Sequence, residues 1–235
     1  MHSTTRDRVG AATGAAFVTF IFVGNVMATS GQSTSMHPTG HEVLRDAAHA
    51  AESTPATIGL LLEVSGFVLF IMFLGFLTDV LRPRTIDSWS GLAAGTAIGA
   101  GVVEVAIKLG SAAPFLTLSL DRDGMSPEIA RVLNDINGMA FLVSWLPLAT
   151  FLAALAVALY GVGLIGRPTM YIGVVSGLAG LALALWGVQD PMSANPLALM
   201  VGMLWLLVVT VRLVVKPSPR TETIDPTSER APVTV

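Results

Sequence analysis

The sequence contains no cysteine among its 235 residues. Disulfide bonds, thiolate nucleophiles, thioether-linked haem and cysteine-ligated iron–sulfur clusters are therefore excluded. Charged residues are also scarce, at 12% of the chain, whereas a soluble domain carries about 25%. The formal net charge is −3 and no basic tract is present, so the sequence predicts no nucleic-acid partner.

Apolar residues make up 53% of the chain and collect in long runs. An α-helix of about 20 apolar residues crosses the roughly 30 Å of hydrocarbon in a bilayer. Helices are expected because lipid offers no partner to the backbone groups of an open sheet. We therefore predict an all-α, polytopic transmembrane helical bundle over residues 1–216, in contact with the lipid bilayer. Six spans are predicted, at about residues 9–28, 57–81, 89–112, 136–165, 170–188 and 196–215.

The segments outside the spans carry their own signals. Residues 30–56 form the first predicted outer loop, with a short amphipathic helix from about His41 to Glu52. Residues 114–135 form the second, with a helix capped by Ser126 and opened by Pro127. The tail, residues 217–235, is rich in proline, threonine and charge, so we predict a disordered cytoplasmic segment.

The distribution of arginine and lysine predicts the orientation, because cytoplasmic loops carry the excess of both. With a cytoplasmic N-terminus, the predicted outer loops contain only Arg45, Arg122 and Arg131. We therefore predict a multi-pass protein of the plasma (inner) membrane with both termini in the cytoplasm. An alternative is that the first span is a signal peptide cut after the small residues near Ala28, which would leave five spans in the same orientation.

Three ionisable residues lie well inside the predicted spans. Glu104 and Lys108 stand four residues apart on span three, the spacing at which a glutamate and a lysine form a salt bridge. Glu104 is expected roughly 12 Å, and Glu63 on span two roughly 9 Å, below the outer ends of their spans, so the two lie at similar depth. Asp135 and Asn137 lie near the start of span four on the same side. These five residues predict a polar pocket open to the outer face, above an apolar inner half.

The role of the charges is left open by the sequence. They can lock span three to its neighbours, line a pocket for a small ligand or cation, or pass protons. Glu63, Glu104 and Lys108 sum to −1 when all are ionised. An unpaired buried carboxylate usually takes a proton, and the other options are a loop arginine such as Arg45 or Arg131, or a bound cation.

Three histidines fall in the first outer loop, at His37, His41 and His49. Imidazole and the neighbouring carboxylates are ligands for zinc or copper, but the spacing matches no dedicated site. We expect a solvated or interface-facing loop, with a divalent metal site and a pH-sensing role as alternatives. The sequence requires no cofactor.

Glycines recur at four-residue spacing in three spans, which lets helices approach closely. We expect these glycines to form packing faces inside the bundle. The alternative is a seam with a second copy or with another membrane subunit. The ladders are Gly10 with Gly14, Gly91 with Gly95 and Gly99, and Gly173 with Gly177.

The later spans carry a family resemblance. The stretches that carry it are residues 137–147, residues 159–168, the glycines from Gly173 to Gly180, and residues 202–214. Over about residues 57–216 the chain resembles actinobacterial six-span integral membrane proteins that are grouped under a domain of unknown function. The resemblance implies a compact bundle in the plasma membrane and implies no reaction.

Taken together, these patterns favour a non-enzymatic membrane protein. It would act as an accessory or scaffold subunit, or as a binder of a small ligand in its outward-facing pocket. The alternatives are a metal-dependent intramembrane enzyme using the histidine and glutamate groups of the outer face, and a proton- or cation-coupled transporter. Transporters commonly show repeats and interrupted helices, and neither is evident in this sequence.

Overall fold

The computed structural model describes residues 3–30, 38–81, 89–190 and 195–216, which form seven α-helices and no strand. All of these helices except α2 are long and apolar enough to cross a membrane, which confirms the predicted all-α, six-span architecture. The predicted cytoplasmic tail lies outside the described residues. The helices are α1 (Ser3–Ala28), α2 (Gly40–Glu52), α3 (Thr54–Leu81), α4 (Trp89–Leu120), α5 (Pro127–Gly161), α6 (Arg167–Gln189) and α7 (Leu197–Val215).

The six long helices pack in a ring in the order α1, α3, α4, α5, α6 and α7, with α7 returning to α1. They alternate in direction, so α1, α4 and α6 end where α3, α5 and α7 begin. We call this side the α2 end, because α2 contacts α3, α4 and α5 there. The other side is called the opposite end.

Aromatic residues fill the centre of the bundle. Phe17 of α1 stacks on Phe70 of α3 with ring centroids 4.3 Å apart, and Phe70 meets Phe151 of α5 edge-on at 5.1 Å. All three side chains are buried. Because lipid tails are as apolar as these rings, close packing rather than escape from water holds such helices together.

The glycine ladders of α1 and α6 form packing faces, as predicted. A Cβ atom on Gly14 would lie 2.7 Å from Phe73, and one on Gly177 would lie 2.7 Å from the backbone nitrogen of Ala153. Only a residue without a side chain allows these helices to approach so closely.

On α4 the prediction is wrong for two of the three glycines. No atom lies within 4 Å of a Cβ built on Gly95 or Gly99, and both residues are exposed. The buried stripe of α4 instead runs through Ala97, Gly101 and Glu104. The four-residue spacing therefore occurs on an outward face of this helix, where no described helix contacts it.

Helices α4 and α5 are longer than the predicted spans. Ser126 caps α5 and Pro127 opens it, as predicted, but the helix then continues to Gly161 without interruption. Helix α4 passes through Pro114 and ends at Leu120. At 1.5 Å per residue these helices are about 48 Å and about 52 Å long, well over the roughly 30 Å of hydrocarbon.

Helix α2 confirms the predicted amphipathic helix and packs across the ends of α4 and α5. A capping box starts it: the Glu42 backbone N–H donates to Thr39 Oγ1 at 3.3 Å, and the Thr39 backbone N–H donates to Glu42 Oε2 at 2.7 Å. The hydrogen bonds that the Thr39 backbone N–H and hydroxyl donate to Glu42 Oε2 hold the pKa of Glu42 below its ordinary value. A Cβ on Gly40 would lie 1.9 Å from the Pro127 carbonyl oxygen. The buried face joins a small cluster made by Val43, Ala47, Leu118 and Ala130.

Candidate functional site

The candidate site begins where α3 and α4 come closest. A Cβ on Gly101 of α4 would lie 2.6 Å from the side chain of Leu74 on α3. A larger residue at position 101 would push the helices apart. Glu104 follows one helical turn later on the same buried stripe, so this contact places its carboxylate inside the bundle.

Glu104 is a buried carboxylate without a hydrogen bond at one of its oxygens. The residue is 2% exposed, and Oε2 has no hydrogen-bond partner among the residues that the structure describes. Nearly all buried polar atoms in proteins are hydrogen-bonded. It is also the one atom of its kind in the described part of the chain.

Lys108 does not form the salt bridge that the sequence predicts. No ion pair joins it to Glu104 in the described structure. Its ammonium instead lies over the ring of Phe141 on α5, with Nζ 3.8 Å from the ring centroid. The Trp145 ring packs edge-on against Phe141 at 5.6 Å. The presence of this ring on the neighbouring helix gives the lysine a second favourable position, a cation–π contact.

Glu63 is held on α3 by a residue of α1. Asn25 donates a hydrogen bond from Nδ2 to Glu63 Oε1 at 3.3 Å. The two helices approach closely here, because a Cβ on Gly24 would lie 2.8 Å from the carbonyl oxygen of Gly59. The close approach brings Asn25 within reach of the carboxylate.

The three charges are arranged along the depth of the bundle. We take the contact of Leu74 with Gly101 as a common level and count 1.5 Å per residue. Toward the α2 end, Glu104 then lies about 4.5 Å, Lys108 about 10.5 Å and Glu63 about 16.5 Å from that level. The two carboxylates are therefore about 12 Å apart along the helices, not at the similar depth that the sequence predicts.

Lys108 lies between the carboxylates and interacts electrostatically with each of them. The set carries two carboxylates and one ammonium, so its charge is −1 when all are ionised. No second cationic side chain among the described residues forms an ion pair with Glu63 or Glu104. The predicted alternative of an arginine reaching in from a loop is not met by Arg131, which lies 3.8 Å from Asp135 on its own helix.

The upper part of this set is exposed at the surface of the bundle. On α5, Phe141, Ser144 and Trp145 follow one stripe of the helix, yet Phe141 is 41% exposed while Ser144 and Trp145 are buried. Glu63 and Lys108 are half-buried. Side chains of the bundle are therefore partly exposed at the level of Lys108 and buried at the level of Glu104.

Two predicted site residues lie apart from the charges. Asp135 is exposed and forms an ion pair with Arg131. Asn137 is half-buried on α5. From the contact of Ser90 with Gly161, the same counting puts Asn137 about 9 Å beyond Lys108 toward the α2 end. Sequence reasoning missed Phe141, whose only signal is an aromatic residue in a neighbouring span.

The histidines do not gather around a metal. His41 and His49 are exposed on the same side of α2 as Arg45 and Glu52. His37 lies outside the described residues. Within the described ranges no group of three or more histidine, aspartate or glutamate side chains could hold a metal ion.

Comparison with family models, curated proteins and solved structures finds no match to this chain. The residues of the site are therefore the evidence for function.

Proposed function

We propose that this is a non-enzymatic, multi-pass protein of the plasma membrane that binds a small cation from the outer side, at Glu63, Glu104 and Lys108. In this proposal the α2 end faces outward and both termini lie in the cytoplasm. The excess of arginine and lysine on the other side supports that orientation. Membership of the actinobacterial six-span group is part of the same proposal, and it implies no reaction.

The observation that carries the proposal is the Oε2 atom of Glu104. A buried charge is costly in protein or lipid unless it has a partner. A cation bound beside Glu104 would supply that partner and bring the set of three charges from −1 to zero. A purely structural role fits less well, because Glu104 forms no bond that would lock α4 to a neighbour.

The depth of the site supports access from outside. Trp89 begins α4 and is 85% exposed, as expected of an anchor at a membrane surface. Twenty residues of helix from Trp89 cross about 30 Å and reach Lys108. Lys108 and Phe141 would then lie near the outer boundary of the hydrocarbon, with Glu104 about 6 Å deeper.

Binding is better supported than transport across the membrane. Toward the opposite end the described core is built mainly on apolar residues such as Phe70, Phe73 and Phe151, and Asp7 is its buried charged residue. The buried hydroxyls of Thr13 and Thr210 donate to carbonyl oxygens of their own helices. These groups leave no chain of free polar atoms through the described core, so a bound cation would stop at Glu104.

The orientation can be tested directly because the chain has no cysteine. We expect Glu52→Cys to react with a membrane-impermeant maleimide on intact cells. A cysteine in the tail, at Ser228→Cys, should react only after the cells are lysed. The reverse labelling pattern would contradict the proposed orientation.

Cation binding is tested by thermal unfolding of the purified protein in mild detergent, at constant ionic strength with lithium as the background cation. The probes are Na⁺, K⁺, Ca²⁺, ethylammonium and tetramethylammonium. We expect at least one to raise the Tm of the wild type and to have no effect on Glu104→Gln. The exposed control Glu52→Gln should respond as the wild type does. If no probe acts, or if Glu104→Gln responds fully, the proposed function is wrong.

A role as a subunit of an assembly is a second candidate, favoured by the exposed glycines of α4. Gly95 and Gly99 present the spacing that brings membrane helices together, and no described atom fills the space beside them. Gly99→Cys should form a disulfide-linked dimer in oxidised membranes if a second copy binds there. Val175→Cys, on an exposed position of α6, is the matched control. Equal cross-linking at both positions would indicate random collision.

A further inference from the structure

We propose that the bound cation is an organic ammonium ion, and that Lys108 is a tethered competitor for its place on Phe141. This inference rests on the proposed function and names its ligand class. The Lys108 ammonium lies 3.8 Å from the centroid of the Phe141 ring. Proteins recognise ammonium ligands, quaternary ones included, by placing them against aromatic rings in this way.

Lys108 has two alternative partners within its reach. One is the Phe141 ring, which it occupies in this structure. The other is Glu104, which stands four residues earlier on the same helix, the spacing that allows a salt bridge. When Lys108 is on the ring, Glu104 Oε2 is left buried and unpartnered. In this structure the ammonium lies on the ring and forms no ion pair with Glu104 among the described residues.

A second ammonium ion resolves this conflict. With a ligand on Phe141, Lys108 can turn to Glu104 and donate to Oε2. The ligand's charge then faces Glu63, whose Oε1 accepts a hydrogen bond from Asn25 and whose Oε2 accepts none from a described residue. Two carboxylates and two ammonium ions give a net charge of zero. The exchange leaves each buried charge with a partner, which the unliganded arrangement does not.

The lining favours an organic ammonium over a metal cation. Calcium takes six to eight oxygen ligands and magnesium needs six in nearly ideal geometry. In the described part of the chain, no group of three or more histidine, aspartate or glutamate side chains could hold a metal ion. An aromatic ring that already holds an ammonium on its face, together with one carboxylate, suits an alkylammonium group.

The ammonium can come from a dissolved amine or from a lipid headgroup. Phe141 is exposed and lies at the level that we assign to the outer boundary of the hydrocarbon, so both sources reach it. The chemistry that Phe141 recognises is the same in each case. The source is therefore decided by experiment.

The test is a titration of the purified, full-length protein with tetramethylammonium chloride and with ethylammonium chloride, followed by thermal unfolding. We expect Phe141→Leu to weaken the apparent affinity at least about fivefold, within what a desolvated cation–π contact contributes. We expect Lys108→Met to strengthen it by a similar factor, because the competitor is gone. Lys216→Met, the control at the other lysine of the chain, should bind as the wild type does. Unchanged or weaker binding by Lys108→Met would overturn the inference.

A second measurement uses the wild-type protein and does not depend on a variant that folds. With ¹³C-labelled lysine the chain gives two lysine side-chain signals, and Lys216→Met assigns them. The Lys108 methylene beside its ammonium should be shifted upfield by the Phe141 ring and should lose that shift when tetramethylammonium is added. An unchanged signal at saturating ligand would contradict displacement.

A lipid source is distinguished in nanodiscs. Phosphatidylethanolamine alone should move the Lys108 signal if its headgroup binds, whereas phosphatidylglycerol should not. If neither lipid moves it but free amine does, the ligand is a dissolved amine. If only inorganic cations raise the Tm, and they do so through Glu104, the proposed function stands and this inference fails. If no cation acts through Glu104, both fail.

Discussion

Replacing Glu104 by methionine should make the protein more stable. An unsatisfied buried polar group costs about 1–3 kcal/mol, and Oε2 of Glu104 has no described partner. Methionine has a similar length and no charge, and its flexible chain adapts to irregular space. We expect a gain of about 2 kcal/mol in the free energy of unfolding. For a chain of this size that corresponds to a rise in Tm of roughly 4–8 °C.

The assay is thermal unfolding in detergent without added organic cation. Glu104→Gln keeps a polar atom in the same place, so its gain should be smaller than that of Glu104→Met. The exposed Glu52→Met should change stability by no more than about 0.5 kcal/mol. If Glu104→Met lowers the Tm, Glu104 has a partner that holds the bundle together, and the proposed cation site is wrong.

Three further results are expected. Gly177→Ala should destabilise the protein by about 1–3 kcal/mol, measured by thermal unfolding. Gly95→Ala, on the exposed face of α4, should stabilise it by about 0.5–1 kcal/mol. Equal effects of the two substitutions would contradict the packing described above. Gly40→Ala should force α2 away from the start of α5 and speed hydrogen exchange of the α2 amides, and slow exchange would show that the contact yields. The pKa of Glu42 is lowered in the folded protein, so the Glu42 carboxylate stabilises α2 above the ordinary carboxyl pKa and loses that effect as the pH falls below it. Hydrogen exchange should therefore show α2 opening below about pH 4.5. Thr39→Ala should remove most of that pH dependence.

The helices could be predicted because lipid imposes a simple rule on a chain with long apolar runs. The ends of α4 and α5 could not be placed as well. Hydropathy marks where a helix leaves the hydrocarbon, but it does not mark where the helix stops. The Ser126 cap was recognised, yet no residue between it and span four signals that the two segments are one helix.

The charged residues of the site were found because a carboxylate or an ammonium stands out in an apolar span. Their arrangement was not found, because it depends on contacts between helices. The closeness of Leu74 to Gly101 sets the depth of Glu104, and the Phe141 ring decides where Lys108 points. Neither fact can be read from spacing along one helix.

The glycines make the same point. Four-residue spacing occurs in α1, α4 and α6 alike, but in α4 the stripe that faces the other helices is a different one. Spacing predicts that a helix can be approached closely. Which neighbour approaches it, and on which side, is determined by the fold.

The length of α4 and α5 has a consequence for how other molecules meet this protein. In the proposed orientation, their length in excess of about 30 Å would carry them, with α2, beyond the hydrocarbon as a protrusion of roughly 18–22 Å. A soluble protein or an antibody fragment could bind this protrusion without contacting lipid. Because α4 and α5 are each continuous, a partner that tilts their outer ends would also move Lys108 and Phe141.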